Sequence, residues 1–321
     1  MFGLSMRRKA PMDKAHDEGG AGGAPRCKRS IGLALGSGVA RGWAHIGVLA
    51  ELTEAGLAPD IVCGSSIGAV VGGAFAAGKL AEMEEFARST TLRRMFGMLD
   101  VSLGGGLFGG KRLEARLAQS LGGMKIEDLP RKFAAVATEV GTGHEIWLSR
   151  GDLVTAMRAS YALPGVFEPV RMDGRWLFDG ALTNPVPITA CRALGADLVV
   201  AVNLNADSVG RGTVIQDHVR LQASHLGAGQ EPTSERGRMI AGGGGSLGMA
   251  TVMVDAFNIT QDRITRSRLA GDPPDVMLSV KAGRIGLFEF HRAEEAIACG
   301  REAARRALDD IREQIGQMAA L

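Results

Sequence analysis

The segment formed by residues 60–77, DIVCGSSIGAVVGGAFAA, places the strongest constraint on how this chain can fold. Its apolar beginning, residues 61–63, predicts the end of a buried strand, and residues 69–77 predict a helix of small side chains. Between them lies Gly64-Ser65-Ser66-Ile67-Gly68, a G-x-S-x-G pattern. A strand that turns directly into a helix strains the backbone of the central residue, and glycines on both sides let the neighbouring chain pass closely. The segment therefore predicts that Ser66 stands at the tip of a sheet, over the positive end of a helix, where an oxyanion would be stabilised.

A purely structural interpretation fits the same segment. A loop of glycine and serine can cap a buried helix, with Ser66 as the N-cap residue whose hydroxyl accepts a backbone N–H. The motif alone does not separate a nucleophile from a cap.

The composition provides ample material for a hydrophobic core. Of the 321 residues, 45% are hydrophobic and 22% are charged, which suits one domain of good size or two small ones. The 37 basic and 35 acidic residues nearly balance, and this argues against nucleic acid as a main partner. Residues 1–29 carry basic clusters without hydrophobic periodicity and are predicted to form a disordered basic tail. The folded domain is expected over residues 30–321.

Cysteine use and hydropathy predict a cytoplasmic protein. Cys27, Cys63, Cys191 and Cys299 lie far apart with no C-x-x-C pair, so neither a disulfide scaffold nor a zinc site is expected. No apolar run typical of a signal peptide precedes the first predicted strand. The longest apolar run, residues 67–77, is too short to span a bilayer. The chain is therefore expected not to cross a membrane, and peripheral contact with one stays open.

A second glycine-rich turn follows the first predicted strand, residues 31–35. Gly36-Ser37-Gly38-Val39-Ala40-Arg41-Gly42 joins that strand to a helix predicted over residues 43–55. Such a turn is a ready anion site because the first backbone N–H groups of a helix have no internal partners. A dinucleotide-binding fingerprint would need glycine at the position of Arg41, so that interpretation fails. His45, on the following helix, is expected to be packed and hydrogen-bonded.

A carboxylate stands at the end of a predicted hairpin. Two short strands, residues 170–172 and 175–178, flank Asp173-Gly174, a pair that suits a two-residue turn with positive φ. The second strand runs directly into Asp179-Gly180-Ala181, and no reversal onto another strand explains this second aspartate. Asp179 is therefore a candidate functional residue, and an N-cap or turn aspartate is the structural alternative.

Predicted strands alternate with predicted helices along the whole chain, which indicates an α/β layered sheet. The remaining strands are predicted at residues 133–138, 198–203 and 275–280, and the remaining helices at 81–91, 112–121, 151–160, 247–269 and, as one or two helices, from about 293. Residues 103–110 are expected to form a Gly-rich loop. Residues 206–246 are rich in Gly, Gln, Arg and Ser, and are expected to form a mobile excursion of the kind that serves as a lid.

Jointly, the motifs resemble those of the patatin-like phospholipases, serine acyl hydrolases that use a Ser–Asp dyad without histidine. The family pattern of a glycine-rich turn with R-G, a G-x-S-x-G and a D-G-[GA] stands here at residues 36–42, 64–68 and 179–181, in the family order. Leu163-Pro164-Gly165-Val166-Phe167 and Asn184-Pro185-Val186-Pro187 also look like family segments. Residues 285–292, IGLFEFHR, look like the bacterial branch related to neuropathy target esterase.

The resemblance implies a three-layer α/β/α sandwich around a mostly parallel sheet. It implies the hydrolysis of lipid acyl esters, from phospholipid or lysophospholipid, through an acyl-enzyme on Ser66 with Asp179 as the base. The implied oxyanion hole consists of backbone N–H groups at Gly36, Ser37 and Gly38. No metal or organic cofactor is implied.

Four further residues of the family motifs are expected to support the site: Arg41, Gly64, Gly68 and Gly180. Arg41 has two equally weighted roles, which are to neutralise charge near the oxyanion turn or to pack against the serine turn. A basic stretch elsewhere, with Arg263, Arg266 and Arg268, could approach anionic lipid head groups.

Two other functions stay open. An α/β-hydrolase with a Ser–Asp–His triad could draw on His218, His225 or His291, all of which lie downstream in the required order. A patatin-like fold could also serve as a regulatory binding protein with a vestigial dyad. Labelling by a fluorophosphonate separates this last function from both enzymes, because only an activated serine reacts.

Overall fold

The computed structural model describes residues 29–91, 106–108, 110–205 and 249–319. Residues 1–28 of the predicted tail and the whole predicted excursion, 206–246, lie outside these ranges. Arg29, the last residue of the predicted tail, donates from its guanidinium to the carbonyl oxygen of Met318 at 2.7 Å, so it contacts the folded part of the chain.

Strands and helices alternate along much of the described chain, as the sequence predicts, although two helices and two groups of strands follow one another directly. The strands are β1 (Ile31–Leu35), β2 (Ile61–Ser65), β3 (Gly106–Phe108), β4 (Lys132–Glu139), β5 (Glu145–Leu148), β6 (Gly165–Phe167), β7 (Val170–Met172), β8 (Arg175–Asp179), β9 (Leu198–Asn203) and β10 (Val276–Ser279). The α-helices are α1 (Ala44–Glu54), α2 (Ile67–Ala76), α3 (Leu80–Arg88), α4 (Lys111–Leu121), α5 (Leu153–Ser160), α6 (Ile188–Ala193), α7 (Met249–Gly271) and α8 (Ala293–Ala319).

The central sheet is parallel through most of its width. Strands β10, β9, β1, β2 and β4 lie side by side and run in the same direction. Strands β5 and β8 pair with β4 in the antiparallel sense, and β7 pairs antiparallel with β8. A separate parallel pair, β3 with β6, stands outside this sheet. The carboxyl ends of β1 and β2 are level because Leu35 pairs with Gly64. The two glycine-rich turns that follow these strands therefore lie at the same edge of the sheet.

Two strands of opposite direction meet on one edge of β4. Strand β2 pairs with residues 132–136 of β4, and β8 pairs with residues 137–139 in the antiparallel sense. Strand β5 pairs with residues 135–138, which overlap both stretches, so β5 occupies the other edge and leaves β2 and β8 on a common one. The carboxyl end of β8 therefore runs into the carboxyl end of β2.

Helices cover both faces of the sheet, which confirms the three-layer α/β/α architecture. Leu33 and Leu35 of β1 are buried on one face in a large core that includes α1, α2, α5 and α8. Ala34, between them, points to the other face and packs in a smaller core that includes Ile188 and Cys191 of α6. All residues of β1 are buried while successive side chains point to opposite faces, as expected of a strand with helices on both sides of its sheet.

Several local features differ from the sequence-based predictions. The predicted Gly-rich loop at 103–110 contains the short strand β3, and β5 and β6 were not predicted, since short strands carry too few residues for a clear pattern. The C-terminal segment is a single helix, α8. The hairpin turn is confirmed, with φ of 47° at Asp173 and 79° at Gly174.

Within the described ranges, no helix has the length and hydropathy that a bilayer crossing requires.

Helices α1 and α8 cross at a distance that only glycine permits. A Cβ atom on Gly300 of α8 would overlap the carbonyl oxygen of Ala44, and one on Gly47 of α1 would overlap that of Ile297. Beside this crossing, Glu51 accepts hydrogen bonds from Arg301 at 3.2 Å and from Arg305 at 2.7 Å. Because Gly47 and Gly300 have no side chains, the two helices lie close together, and the arginines of α8 can bond to Glu51 of α1.

We expect Gly300→Ala to lower the free energy of unfolding by about 1–3 kcal/mol, because the added methyl group must push two packed backbones apart. The matched control is Gly316→Ala in the same helix, where a Cβ atom would meet open space. That substitution should stabilise the protein by up to about 1 kcal/mol through helix propensity alone. Urea unfolding of both variants measures the difference, and equal effects would contradict the close crossing.

Candidate active site

Ser66 occupies a strained turn between β2 and α2. Its backbone has φ of 57° and ψ of −124°, a conformation that side-chain-bearing residues rarely adopt. A Cβ atom on Gly64 would overlap the backbone of Gly68, and a Cβ atom on Gly68 would overlap the carbonyl oxygen of Leu35. The two motif glycines are therefore required by close approach of backbones, as the sequence predicts.

The side chain of Ser66 does not cap the helix that follows it. Ser66 stands at the N-cap position of α2, but its hydroxyl accepts no hydrogen bond from the N–H groups of the first turn. Instead, Ser66 Oγ donates to Asp179 Oδ2 at 2.7 Å. The N-cap interpretation of Ser66 is therefore wrong for its side chain.

Asp179 makes both the contact expected of a catalytic partner and the contact expected of a capping residue. While Oδ2 accepts from Ser66, Oδ1 accepts the backbone N–H of Ala181 at 2.8 Å and so caps the short 3₁₀ turn Gly180–Leu182. Thr138 Oγ1 donates to the carbonyl oxygen of Asp179 at 2.9 Å. A Cβ atom on Gly180 would overlap the carbonyl oxygen of Val136, so this glycine lets the turn lie directly against β4. Each carboxylate oxygen thus has one fixed donor.

Burial dominates the electrostatics of the pair. The exposed fraction is 8% for Ser66 and 1% for Asp179. Burial raises the pKa of Asp179 from its ordinary value of 3.8 to about 7, although the hydrogen bonds from Ser66 and Ala181 act to lower it. A carboxylate of this kind can accept a proton from a nearby hydroxyl near neutral pH, which an exposed aspartate cannot do efficiently.

Ser160 holds the backbone of Ser66 in place. The backbone N–H of Ser66 donates to Ser160 Oγ at 2.9 Å, and Ser160 Oγ donates to the carbonyl oxygen of Val136 at 2.6 Å. The side chain of Ser160 is fully buried at the end of α5. Ser160 was not predicted from the sequence, since a serine in the last turn of a helix carries no distinctive local signal.

The predicted oxyanion donors at Gly36 and Ser37 are already engaged. The N–H of Gly36 donates to the carbonyl oxygen of Val202 at 3.1 Å, which extends the pairing of β1 with β9. The N–H of Ser37 donates to the carbonyl oxygen of Pro185 at 2.9 Å. The prediction is therefore wrong for these two donors. In the part of the chain that the structure describes, the N–H groups of Gly38 and Val39 have no acceptor.

Val39 adopts an unusual backbone conformation at this turn. Its φ is 52°, which is rare for a β-branched residue, and its side chain lines the same cleft as Ser66. The side chain of Ser37 donates to Gln261 of α7. Neither Val39 nor Gln261 was predicted, because neither residue type signals a role at a glycine turn.

Arg41 contacts segments that follow two strands of the sheet. Its Nε donates to the carbonyl oxygen of Ile285 at 2.9 Å, and Nη1 donates to Asn205 Oδ1 at 3.4 Å. Gly42 is the residue that packs against the serine turn, since a Cβ atom there would overlap Ile67. Arg41 therefore links the glycine turn to the segments that follow β9 and β10, a role that differs from both predicted ones.

Within the described ranges, no histidine is hydrogen-bonded to Ser66 or Asp179. His45 is buried, and burial lowers its pKa to about 4, so the ring is neutral and donates from Nε2 to the carbonyl oxygen of Gly36 at 2.7 Å. This confirms the predicted packing role. His291 is exposed in the 3₁₀ turn Phe290–Arg292. His218 and His225 lie outside the described residues.

An apolar cleft opens at the two site residues. It contains ≈ 830 Å³ of space, including its mouth, and both Ser66 and Asp179 line it. Six aromatic side chains contribute to its walls: Trp43, Phe86, Tyr161, Phe167, Phe257 and Phe290. Trp43 packs edge-to-face with Phe86 and Phe290, at ring-centroid distances of 6.0 and 5.9 Å. The cleft suits an apolar chain attached to the group that reaches Ser66.

Over the described residues, no group of three His, Cys, Asp or Glu side chains is placed to hold a metal ion.

We expect Ser160→Ala to lower the free energy of unfolding by about 1–3 kcal/mol, since the N–H of Ser66 and the carbonyl oxygen of Val136 would both lose a buried partner. Ser65→Ala is the matched control, because the hydroxyl of Ser65 is also buried but has no hydrogen-bond partner among the described residues. Thermal unfolding should separate the two variants. Equal loss in both would show that Ser160 does not hold the turn.

The chain is similar to several known proteins. The family model for patatin-like phospholipase matches residues 33–192. An uncharacterized NTE family protein of Mycobacterium tuberculosis is 34% identical over 87% of this chain and 91% of its own length. Lysophospholipase nte1 of Emericella nidulans is 30% identical over 56% of this chain, which corresponds to 12% of that longer protein. The solved structure of VipD from Legionella pneumophila superposes with a TM-score of 0.45 at 15% identity and covers 89% of this chain and 67% of VipD. The chain belongs to the patatin-like phospholipases, a family of lipid acyl hydrolases, and its relatives are NTE family proteins.

Proposed function

We propose that this protein is a serine acyl hydrolase that cleaves lipid acyl esters through an acyl-enzyme on Ser66, with Asp179 as the general base. The observation that carries the proposal is the direct hydrogen bond of 2.7 Å from Ser66 Oγ to Asp179 Oδ2, since both residues line an apolar cleft. No imidazole stands between the two groups, which favours a dyad over a Ser–Asp–His triad.

In the first half of the reaction, Asp179 accepts the Ser66 proton while Ser66 Oγ attacks the ester carbonyl carbon. The oxyanion that forms is stabilised by the N–H groups of Gly38 and Val39 and by the positive end of α2. When the carbon–oxygen bond to the leaving alcohol breaks, Asp179 returns the proton to that alcohol. The acyl group then remains on Ser66.

In the second half, a water molecule attacks the acyl-enzyme. Asp179 now takes a proton from the water and later gives it to Ser66 Oγ, which leaves as the hydroxyl. The fatty acid departs and the free enzyme is restored. One carboxylate with a pKa of about 7 can perform both transfers, because its two protonation states are close in free energy at neutral pH.

The proposed substrates are phospholipid or lysophospholipid acyl esters, in line with the family. The aromatic walls of the cleft support an acyl chain, and a lysophospholipase is among the relatives. Apolar groups near the cleft support superficial membrane contact. Phe288 is 50% exposed and Ile259 is 65% exposed, and each stands two residues from a cleft residue, Phe290 or Phe257.

We expect Ser66→Ala to abolish turnover of lysophospholipid and short esters and to prevent labelling by a fluorophosphonate. Loss of a serine nucleophile costs on the order of 10⁶ in kcat. Ser65→Ala controls for disturbance of the turn and should retain most of the rate. Turnover above a tenth of the wild-type rate in Ser66→Ala would exclude Ser66 as the nucleophile.

We expect Asp179→Asn to reduce kcat by several orders of magnitude, because the amide cannot take the proton of Ser66. Asp173→Asn is the control, since Asn-Gly suits the hairpin turn as well as Asp-Gly. If both substitutions change the rate alike, Asp179 is structural only.

The pKa of Asp179 also predicts two pH dependences. The ionised base is the active form, so kcat/KM of the wild type should fall as pH decreases below about 7. The folded protein binds this proton more tightly than the unfolded chain, so the associated stability is present below pH 3.8 and is lost as pH rises through about 7. Asp179→Asn should therefore melt at a higher temperature than the wild type at pH 8, with the difference vanishing towards pH 4. A constant difference across this range would contradict the raised pKa.

Membrane contact is testable by co-sedimentation with anionic vesicles. Arg266 and Arg268 pair with Asp262 at 3.1 Å and Glu145 at 2.7 Å, so their expected contribution to head-group binding is reduced. We expect binding to weaken with salt, since each basic residue near the surface contributes about 1 kcal/mol. Phe288→Asp should weaken it further. Binding that is insensitive to both changes would contradict this surface.

A further inference from the structure

The apolar cleft at Ser66 shares a wall with a second cavity. Phe86 of α3 and Leu117 of α4 line the cleft, and the same two side chains line a neighbouring cavity of ≈ 370 Å³, including its opening. Among the described residues, these two are the only ones that belong to both spaces. Their side chains therefore lie between the cleft and the neighbouring cavity.

The second cavity has an apolar floor and a charged rim. Met83 and Leu121 are buried and belong to the floor. Lys79 and Glu82, which form an exposed ion pair at 2.8 Å, belong to the rim. The end of an apolar chain that entered this cavity would find buried methyl groups before it met water.

Aromatic and cationic contacts hold the wall in place from both sides. Trp43, which lines the cleft, packs edge-to-face on the Phe86 ring. Arg116, which lines the second cavity, places its guanidinium 5.6 Å from the centroid of the same ring. Leu117 is buried beside Phe86, with an exposed fraction of 4%. The ring is thus fixed between the two spaces.

We propose that Phe86 and Leu117 determine the longest acyl chain that the enzyme accepts, because they close the far end of the acyl cleft; this inference rests on the proposed acyl hydrolase function. Each methylene that the cleft buries raises kcat/KM by about 4-fold until the chain reaches the wall. Further methylenes must fold back or remain in water, so kcat/KM then stops rising. Removal of either wall side chain joins the cleft to the second cavity and lets longer chains extend.

The test is a profile of kcat/KM over p-nitrophenyl esters with acyl chains from butyrate to palmitate, each normalised to butyrate. Wild type should show a cut-off in chain length. Phe86→Ala and Leu117→Ala should each move the cut-off to longer chains, with a gain of about 4-fold for each methylene added beyond the wild-type limit. Phe86→Leu is a milder variant that shortens the wall with less loss of core packing, and it should move the cut-off in the same direction.

Two control variants enlarge one space without opening the wall. Met83→Ala enlarges the second cavity alone, and Leu113→Ala widens the cleft alone. Both should keep the wild-type cut-off. An equal shift in either control would overturn the proposal, since it would show a general loosening of the site.

The failure of the inference and the failure of the proposed function give different results. If esters are hydrolysed and Ser66 is labelled by a fluorophosphonate, but the wall variants keep the wild-type cut-off, only the role of Phe86 and Leu117 is wrong. If no ester of any length is hydrolysed and Ser66 is not labelled, both proposals fail.

Discussion

The hydrogen bond from Ser66 to Asp179 exists because two strands of opposite direction end against each other on one edge of β4. In a purely parallel sheet, a residue at the end of a neighbouring strand would lie beside Ser66, at the spacing of adjacent strands. Here β8 approaches β2 along the same edge, so Ser66, which follows β2, faces Asp179, the last residue of β8. The glycines at 64, 68 and 180 permit this meeting, because a side chain at any of them would overlap a neighbouring backbone.

Burial determines both the raised proton affinity of Asp179 and the apolar character of the cleft beside it. The carboxylate of Asp179 is removed from water, and this desolvation raises its pKa to about 7. The aromatic side chains that line the cleft also offer an apolar chain a place out of water. The ionised carboxylate is therefore costly to hold in the folded state. That cost is offset by the hydrogen bonds from Ser66 and Ala181 and by the packing of the surrounding core.

Much of the fold could be predicted from local sequence. Strands β1 and β9 and the hairpin of β7 and β8 appear close to the predicted positions, because uninterrupted apolar runs and an Asp-Gly turn are strong local signals. The short strands β3, β5 and β6 were missed, since three or four residues carry no distinct period. A segment this short becomes a strand only when another strand pairs with it, and its own sequence does not specify that partner.

The strained turn at Ser66 could be predicted from the sequence alone, since the glycines at 64 and 68 indicate close backbone approaches before any fold is known. The sequence also indicated Asp179 as a functional candidate, because no reversal onto another strand explained this aspartate. Which backbone donors remain free at the second glycine turn depends on how distant segments pack against it. The N–H groups of Gly36 and Ser37 are occupied by carbonyl oxygens from β9 and from Pro185, which are distant in the chain. The support from Ser160 has the same origin, because a hydrogen bond between distant residues depends on how the elements pack and leaves no trace in local sequence.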